Sequence, residues 1–172
     1  MPHTIPRKGR HSKHPENNPG FHDSASFHKA AAIDVLNQIL EHELAGVLLY
    51  TRSSLVVFGP QRRSLVQWMH EQANEALGHA RKVGELITHY GELPSLAIAP
   101  TPETHEFETE PLLRRLLDHE IVTLDLYRQL LAIAKDGSVL LEEFARAMVQ
   151  TEELHAGEIQ KMLRPAEHPA HA

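Results

Sequence analysis

Two ten-residue stretches, EHELAGVLLY at 41–50 and DHEIVTLDLY at 118–127, decide how this chain folds. Both place a histidine, a glutamate and, seven residues after the glutamate, a tyrosine in the same order. Seven residues are nearly two turns of an α-helix, so the glutamate and the tyrosine of each stretch lie on one helical face. The two stretches therefore predict a pair of helices that carry the same polar residues on matching faces.

The repetition extends to a second pair of helices. In each half of the chain a further glutamate follows the first by 32 residues, and a histidine comes three or four residues after it. The repeated residues are Glu43, Tyr50, Glu75 and His79 in the first half and Glu120, Tyr127, Glu152 and His155 in the second. The chain thus contains an internal two-helix repeat.

Hydrophobic residues recur at three- and four-residue spacing in four long segments, which is typical of amphipathic helices. The predicted helices cover 29–58, 61–90, 112–135 and 139–163. The segment 91–111 between the second and third helices has no period and contains four prolines. About twenty extended residues reach farther than the roughly 40 Å length of such a helix. We therefore predict an all-α four-helix bundle with a long crossover, in which the second and third helices are parallel.

Composition limits the rest of the chain. Residues 1–26 are rich in Pro, Gly, His, Asn and Ser, and a disordered, His-rich basic tail is expected there. Residues 1–20 carry a net charge of +3, which leaves −9 on the remainder of a chain of −6. The bundle is expected over 27–164, followed by a short tail over 165–172. The absence of cysteine excludes disulfides, thiolate zinc sites and iron–sulfur clusters.

No signal peptide and no apolar run of 18 residues is found, so a cytoplasmic protein without a membrane span is expected. The repeated glutamates lie within apolar stripes of their helices, where an isolated charged carboxylate is costly. Four inward carboxylates would also repel one another, whereas two divalent cations would balance their charge. Carboxylate and imidazole ligands suit iron or manganese.

With these motifs, the chain resembles the ferritin-like di-iron proteins, and among them the bacterioferritin and Dps-like branch. The resemblance covers nearly all of 30–163, through 36–50, Glu75 to the GELP at 91–94, LLDHEIVTLDLY and TEELHAGEIQKML. It implies terminal ligands at Glu43 and Glu120, bridging ligands at Glu75 and Glu152, and nitrogen ligands at His79 and His155. Tyr50 and Tyr127 are expected to form hydrogen bonds near the metal ions.

The chain departs from this family pattern in three places. His79 follows Glu75 by four residues instead of three, which a single-turn π-bulge could absorb, and Glu71 is a rival to Glu75. Leu77 stands where the haem-binding methionine of bacterioferritins would fall, so no haem site is expected. Only 165–172 remain after the fourth helix, so no fifth helix is expected, and a smaller shell or a dimer is favoured over a 24-subunit cage.

The resemblance implies a ferroxidase that binds two iron ions per subunit and oxidises Fe(II) with dioxygen or peroxide, for iron storage or detoxification. A small di-iron or di-manganese oxidase, hydroxylase or catalase is the second hypothesis. The third is a Dps-like protein that protects DNA through its basic tail, although the acidic remainder argues against strong DNA binding without that tail. Either ferritin-like reading implies a homo-oligomer. His42 and His119, each next to a terminal glutamate, are expected outside the ligand set.

Overall fold

The computed structural model describes residues 27–101 and 107–164, and these form four α-helices. The helices are α1 (Lys29–Val56), α2 (Arg62–His89), α3 (Thr109–Ala134) and α4 (Val139–Leu163). The predicted all-α bundle is confirmed. The predicted tails at 1–26 and 165–172, and with them the question of a fifth helix, lie outside the described residues. None of the described helices is long and apolar enough to cross a membrane.

The start of α3 is the one helix end that differs from prediction by more than two residues. Periodicity places it after Pro111, but the helix begins at Thr109 and includes the proline in its first turn. The first backbone N–H groups of a helix have no acceptor within it. A proline there removes no intrahelical hydrogen bond, and its fixed φ suits the helix.

The crossover between α2 and α3 is attached to the side of α1. The backbone N–H of Ser95 donates to Oδ1 of Asn37 at 2.8 Å, and that of Ala99 donates to the carbonyl oxygen of Glu41 at 3.1 Å. Residue numbers rise together along the two segments, so the crossover runs in the same direction as α1. It therefore returns the chain to the end of the bundle where α2 began, as the crossover prediction requires.

The direction of each helix follows from this path. A short turn at 57–61 joins α1 to α2 and makes them antiparallel. Contacts between α1 and α3 join Tyr50 to Glu120 and Glu43 to Tyr127, so these helices are antiparallel as well. Since α2 and α3 both run against α1, they are parallel to each other. This is the connectivity that the sequence predicts.

The apolar core has two parts, one toward each end of the bundle. Removing a large apolar side chain from water stabilises the fold by about 1.5–3 kcal/mol. Fully buried members of the first cluster include Leu36, Ile39, Val83, Leu130 and Leu141. Those of the second include Met69, Leu116 and Ile159. Between the clusters lies a layer of buried polar residues that belongs to neither.

A pair of stacked histidines joins α1 to α3 beside this polar layer. The rings of His42 and His119 lie 4.2 Å apart between centroids and 13° from parallel. Thr123 donates to the carbonyl oxygen of His119 at 3.1 Å, so Nδ1 of His42, 3.0 Å from the same hydroxyl, must be the donor. Burial lowers the pKa of both histidines, that of His119 to about 3, which keeps the stack neutral.

Gly46 provides the space for this stack. It occupies the position in the first repeat that Thr123 occupies in the second. A Cβ atom at Gly46 would lie 2.6 Å from Nε2 of His119, which is well inside van der Waals contact. The two histidines therefore have different surroundings. Thr123 of the second repeat supplies a hydroxyl to His42, whereas Gly46 of the first repeat leaves space for His119.

We predict that Gly46→Ala lowers the free energy of unfolding by about 1–2 kcal/mol, because the added methyl overpacks the histidine stack. Glycine to alanine within a helix ordinarily stabilises by up to about 1 kcal/mol. Gly84→Ala in α2 is the matched control, since a Cβ there meets no heavy atom of the described residues within 4 Å. Urea unfolding measures both variants. Equal stabilisation by the two would contradict the packing described. In a His119→Ala background, Gly46→Ala should no longer lower the free energy of unfolding.

Candidate metal centre

Four helices each bring one glutamate to the polar layer between the apolar clusters. Glu43 of α1, Glu120 of α3 and Glu152 of α4 are buried, with exposed fractions of 3%, 5% and 2%. Glu75 of α2 differs, because 41% of its side chain is exposed. The structure thus brings together all four glutamates that the repeat singles out, but it buries three of them.

Two triads of ligand atoms lie side by side in this layer. Glu43, His79 and Glu152 form one, and Glu120, Glu152 and His155 form the other, with the ligand atoms of each within 4.8 Å of one another. Nδ1 of His79 lies 3.4 Å from Glu43 and 3.2 Å from Oε1 of Glu152. Nδ1 of His155 lies 3.3 Å from Oε2 of Glu152 and 3.8 Å from Glu120. Glu152 is therefore shared, with one oxygen facing each triad.

The two predicted tyrosines bind the carboxylates in a crossed arrangement. The hydroxyl of Tyr127 donates to Oε1 of Glu43 at 2.7 Å, and the hydroxyl of Tyr50 donates to Oε1 of Glu120. Each tyrosine shares a helical face with the glutamate of its own repeat, but seven residues place it about 10 Å farther along the helix. Because α1 and α3 are antiparallel, that position lies level with the glutamate of the opposite repeat.

Glu75 lies on the outer side of the two histidines. Its Oε1 is 3.9 Å from Nε2 of His79, and its Oε2 is 3.4 Å from Nε2 of His155. It belongs to neither triad. The helix α2 is a regular α-helix from Arg62 to His89, so no π-bulge absorbs the extra residue between Glu75 and His79. The rival Glu71 is exposed and accepts a hydrogen bond from Gln67.

Burial and close charges shift the protonation of these groups. Burial raises the pKa of Glu43, and burial together with the charge of Glu152 raises that of Glu120 to about 8. Burial opposes ionisation of Glu152 too, but the imidazoles of His155 at 3.3 Å and His79 at 3.2 Å outweigh it and hold its pKa below the usual value. Burial lowers the pKa of His79, while Glu152 and Glu43 outweigh this and raise it to about 9. Without a metal ion, protons therefore take up part of the charge.

The residues present fit divalent metal ions. Oε1 of Glu152 is buried and forms no hydrogen bond within the described residues, although Nδ1 of His79 lies 3.2 Å away. A buried oxygen without a hydrogen bond calls for a cation or an ordered water. The donor set is carboxylate oxygen and imidazole nitrogen, which suits iron or manganese. Two divalent ions would also balance the four glutamates of the layer. The arrangement can therefore hold two metal ions that share Glu152.

Three further residues line the small cavity at the centre, namely Gln72, Ala76 and His119. Sequence analysis did not assign them to the site. Gln72 precedes Glu75 by one helical turn, a spacing that indicates the same face and could have identified it. His119 lines the cavity while its ring stacks on His42. Its position depends on the space beside Gly46, which the sequence pattern did not indicate.

Comparison with known proteins agrees with this fold. The family model described as Ferritin, ferritin-like domain, matches residues 33–167. No curated protein sequence matches the chain at a significant level. Among solved structures, a ferritin-like diiron-carboxylate protein from Bacillus anthracis str. Ames is 20% identical, with a TM-score of 0.74 over 82% of this chain and 99% of that one.

Two other structures have similar folds. The bacterioferritin-related protein of Bacteroides fragilis, described as a dodecameric thioferritin, is 22% identical, with a TM-score of 0.73 over 78% of this chain and 84% of that one. Dps from Thermosynechococcus elongatus is 16% identical, with a TM-score of 0.76 over 86% and 100%. The low sequence identities of these structures show only that the fold is shared. The family model, in contrast, matches most of the sequence itself. The chain belongs to the ferritin-like domain family.

Proposed function

We propose that this protein is a ferroxidase that binds two Fe(II) ions per subunit and oxidises them to Fe(III) for iron storage or detoxification. The observation that supports this most is the pair of buried triads that share Glu152. A shared carboxylate with one oxygen toward each triad is suited to hold two ions side by side. Two Fe(II) ions held there would supply two electrons to one molecule of peroxide or dioxygen.

The side chains around the triads have defined tasks in this proposal. Tyr50 holds Oε1 of Glu120, which leaves Oε2 to face His155, whereas Tyr127 donates to Oε1 of Glu43, the same oxygen that faces His79. The apolar clusters above and below exclude water, and charge interactions are stronger where water is excluded. His79 and His155 face the centre through Nδ1, so each must lose any proton on that atom before a metal ion binds.

The cavity between the ligands is too small for an organic substrate, although a pocket of about 770 Å³ shares His119 with it and keeps an oxidase or hydroxylase as the alternative. The cavity between the ligands has a volume of about 10 Å³. This is about the space of one water molecule, whereas sites for small organic molecules usually span roughly 300–1,000 Å³. Dioxygen and peroxide are the substrates that such a space suits. A manganese catalase would use the same space, and rapid oxygen evolution from peroxide would identify it.

The proposal includes a homo-oligomer. Leu48, Leu55 and Phe58 of the α1 end expose 56%, 72% and 56% of their surface. Large apolar side chains in a cluster commonly mark contacts between protein chains. The Bacteroides fragilis protein, which has a similar fold, is described as dodecameric, and this agrees with a shell smaller than 24 subunits. The Dps-like alternative, DNA protection through the tail at 1–26, concerns residues outside those described.

We predict that the protein oxidises Fe(II) faster than buffer and that Glu152→Gln reduces the rate to that of buffer. The amide removes the shared negative charge from both triads at once. Stopped-flow absorbance after mixing anaerobic Fe(II)-loaded protein with dioxygen or peroxide measures the rate. Glu153→Gln is the matched control, because Glu153 is exposed and pairs with Arg128 at 2.9 Å, and it should leave the rate unchanged. A wild-type rate equal to that of buffer would refute the ferroxidase proposal.

We also predict that metal binding releases protons at pH 7. His79 and Glu120, with pKa values raised to about 9 and about 8, hold protons at pH 7 that a metal ion displaces. The number released should fall, and the affinity should rise, as the pH increases from 7 to 9. Calorimetric titration with redox-inert Zn(II) in two buffers of different ionisation enthalpy measures the release. Equal binding heats in both buffers at pH 7 would contradict the protonation described.

A further inference from the structure

Glu75 stands apart from the other five residues of the centre. It is the one half-exposed carboxylate among the four, and both of its oxygens face Nε2 atoms rather than the Nδ1 atoms of the triads. We propose that Glu75 is a positioning residue and not a bridging ligand. In this proposal its two oxygens, 3.9 and 3.4 Å from Nε2 of His79 and His155 in this structure, take up these N–H groups when metal ions are bound and hold both rings in place. The proposal rests on the two-metal site proposed above.

The orientation of the histidine rings supports this role. Nδ1 of His79 lies 3.2 Å from Glu152 and Nδ1 of His155 lies 3.3 Å from it, so both Nδ1 atoms face the centre. A metal ion binds the nitrogen that carries a lone pair, which places the remaining proton on Nε2. Histidine ligands almost always donate this second N–H to a carboxylate, a carbonyl or water. Glu75 is the carboxylate that the structure provides for both rings.

One carboxylate can serve both rings because of how they are arranged. The ring planes of His79 and His155 are 15° from parallel, with centroids 6.4 Å apart. Oε1 of Glu75 faces the first ring at 3.9 Å and Oε2 faces the second at 3.4 Å. These distances exceed a normal hydrogen bond by about 0.5–1 Å. Because 41% of the Glu75 side chain is exposed, it has room to move toward the rings.

The sequence spacing explains why Glu75 and Glu152 differ. In α4, His155 follows Glu152 by three residues, and the two side chains meet through Nδ1. In α2, His79 follows Glu75 by four residues, and the helix remains regular. The extra residue leaves Glu75 beside the outer edge of the ring instead of the inner edge. The two halves of the repeat therefore place their second glutamates on opposite sides of the histidines.

This position also completes the charge balance of the centre. The triads contain three glutamates, which leave one positive charge when two divalent ions are bound. Glu75 supplies the fourth negative charge from outside the ligand set. A carboxylate that accepts from Nε2–H also raises the basicity of Nδ1 and so strengthens metal binding.

Anaerobic Co(II) binding to the full chain tests the proposal with two readouts. Calorimetry gives the number of ions and their affinity, and proton NMR of the Co(II)-loaded protein gives the solvent exchange of the shifted imidazole N–H protons. Glu75→Gln keeps one accepting oxygen and replaces the other with an amide NH2, so it should still bind two ions per chain, about tenfold more weakly than wild type, with faster exchange of one of the two N–H protons. Glu75→Ala should still bind two ions, about 10–100-fold more weakly, with faster exchange of both N–H protons.

Two control variants accompany the Glu75 variants in these measurements. Glu71→Gln alters an exposed glutamate one turn earlier on the same helix and should change neither readout. Glu152→Gln alters the shared carboxylate and should abolish binding of at least one ion. If Glu75→Gln binds one ion instead of two, Glu75 is a ligand and the positioning role is wrong.

The same experiment separates this inference from the proposed function. Wild-type protein that binds no Co(II) would overturn the two-metal site and the role of Glu75 together. Wild-type protein that binds two ions, together with Glu75→Gln that binds one, would overturn the positioning role alone. N–H exchange that is the same in Glu75→Ala and wild type would overturn it as well, because no hydrogen bond would then have been lost.

Discussion

The structure depends on how three glutamates can be buried halfway along an apolar bundle. Taking a charged carboxylate out of water costs several kcal/mol, even after the surroundings relax. Tyr127 and Tyr50 offset part of this cost for the terminal carboxylates, and the two histidines offset part of it for Glu152. Oε1 of Glu152 still forms no hydrogen bond within the described residues, although His79 lies beside it. The features of the centre can be understood as ways of supplying positive charge or protons to these groups.

The apolar clusters on either side make such a layer tolerable. They contain most of the large buried side chains, and they tie all four helices together above and below the centre. The polar layer can therefore be less than optimal for stability while its geometry is maintained. Proteins often accept a local cost of this kind where binding or catalysis needs it.

The sequence predicted the fold and most members of the centre, for physical reasons that can be named. Periodicity located the helices, and the proline-rich segment after Gly91 located the crossover, because both depend on local chemistry. The duplicated pattern identified Glu43 and Glu152 as parts of one layer. The partner of each tyrosine, the outward position of Glu75 and the stack at His119 depend on distances between helices. No spacing within a single helix contains that information.

The crossed bonds between tyrosines and glutamates have a consequence for the origin of the fold. Tyr50 of the first repeat reaches Glu120 of the second, and Tyr127 of the second reaches Glu43 of the first. Neither hairpin of two helices therefore supplies the tyrosine hydroxyl that its own terminal carboxylate accepts from. Two identical hairpins related by a twofold axis could satisfy each other, since each would offer its tyrosine to its neighbour. The single chain is thus arranged as a fused dimer, in which the crossover keeps together two halves that would otherwise have to find each other in solution.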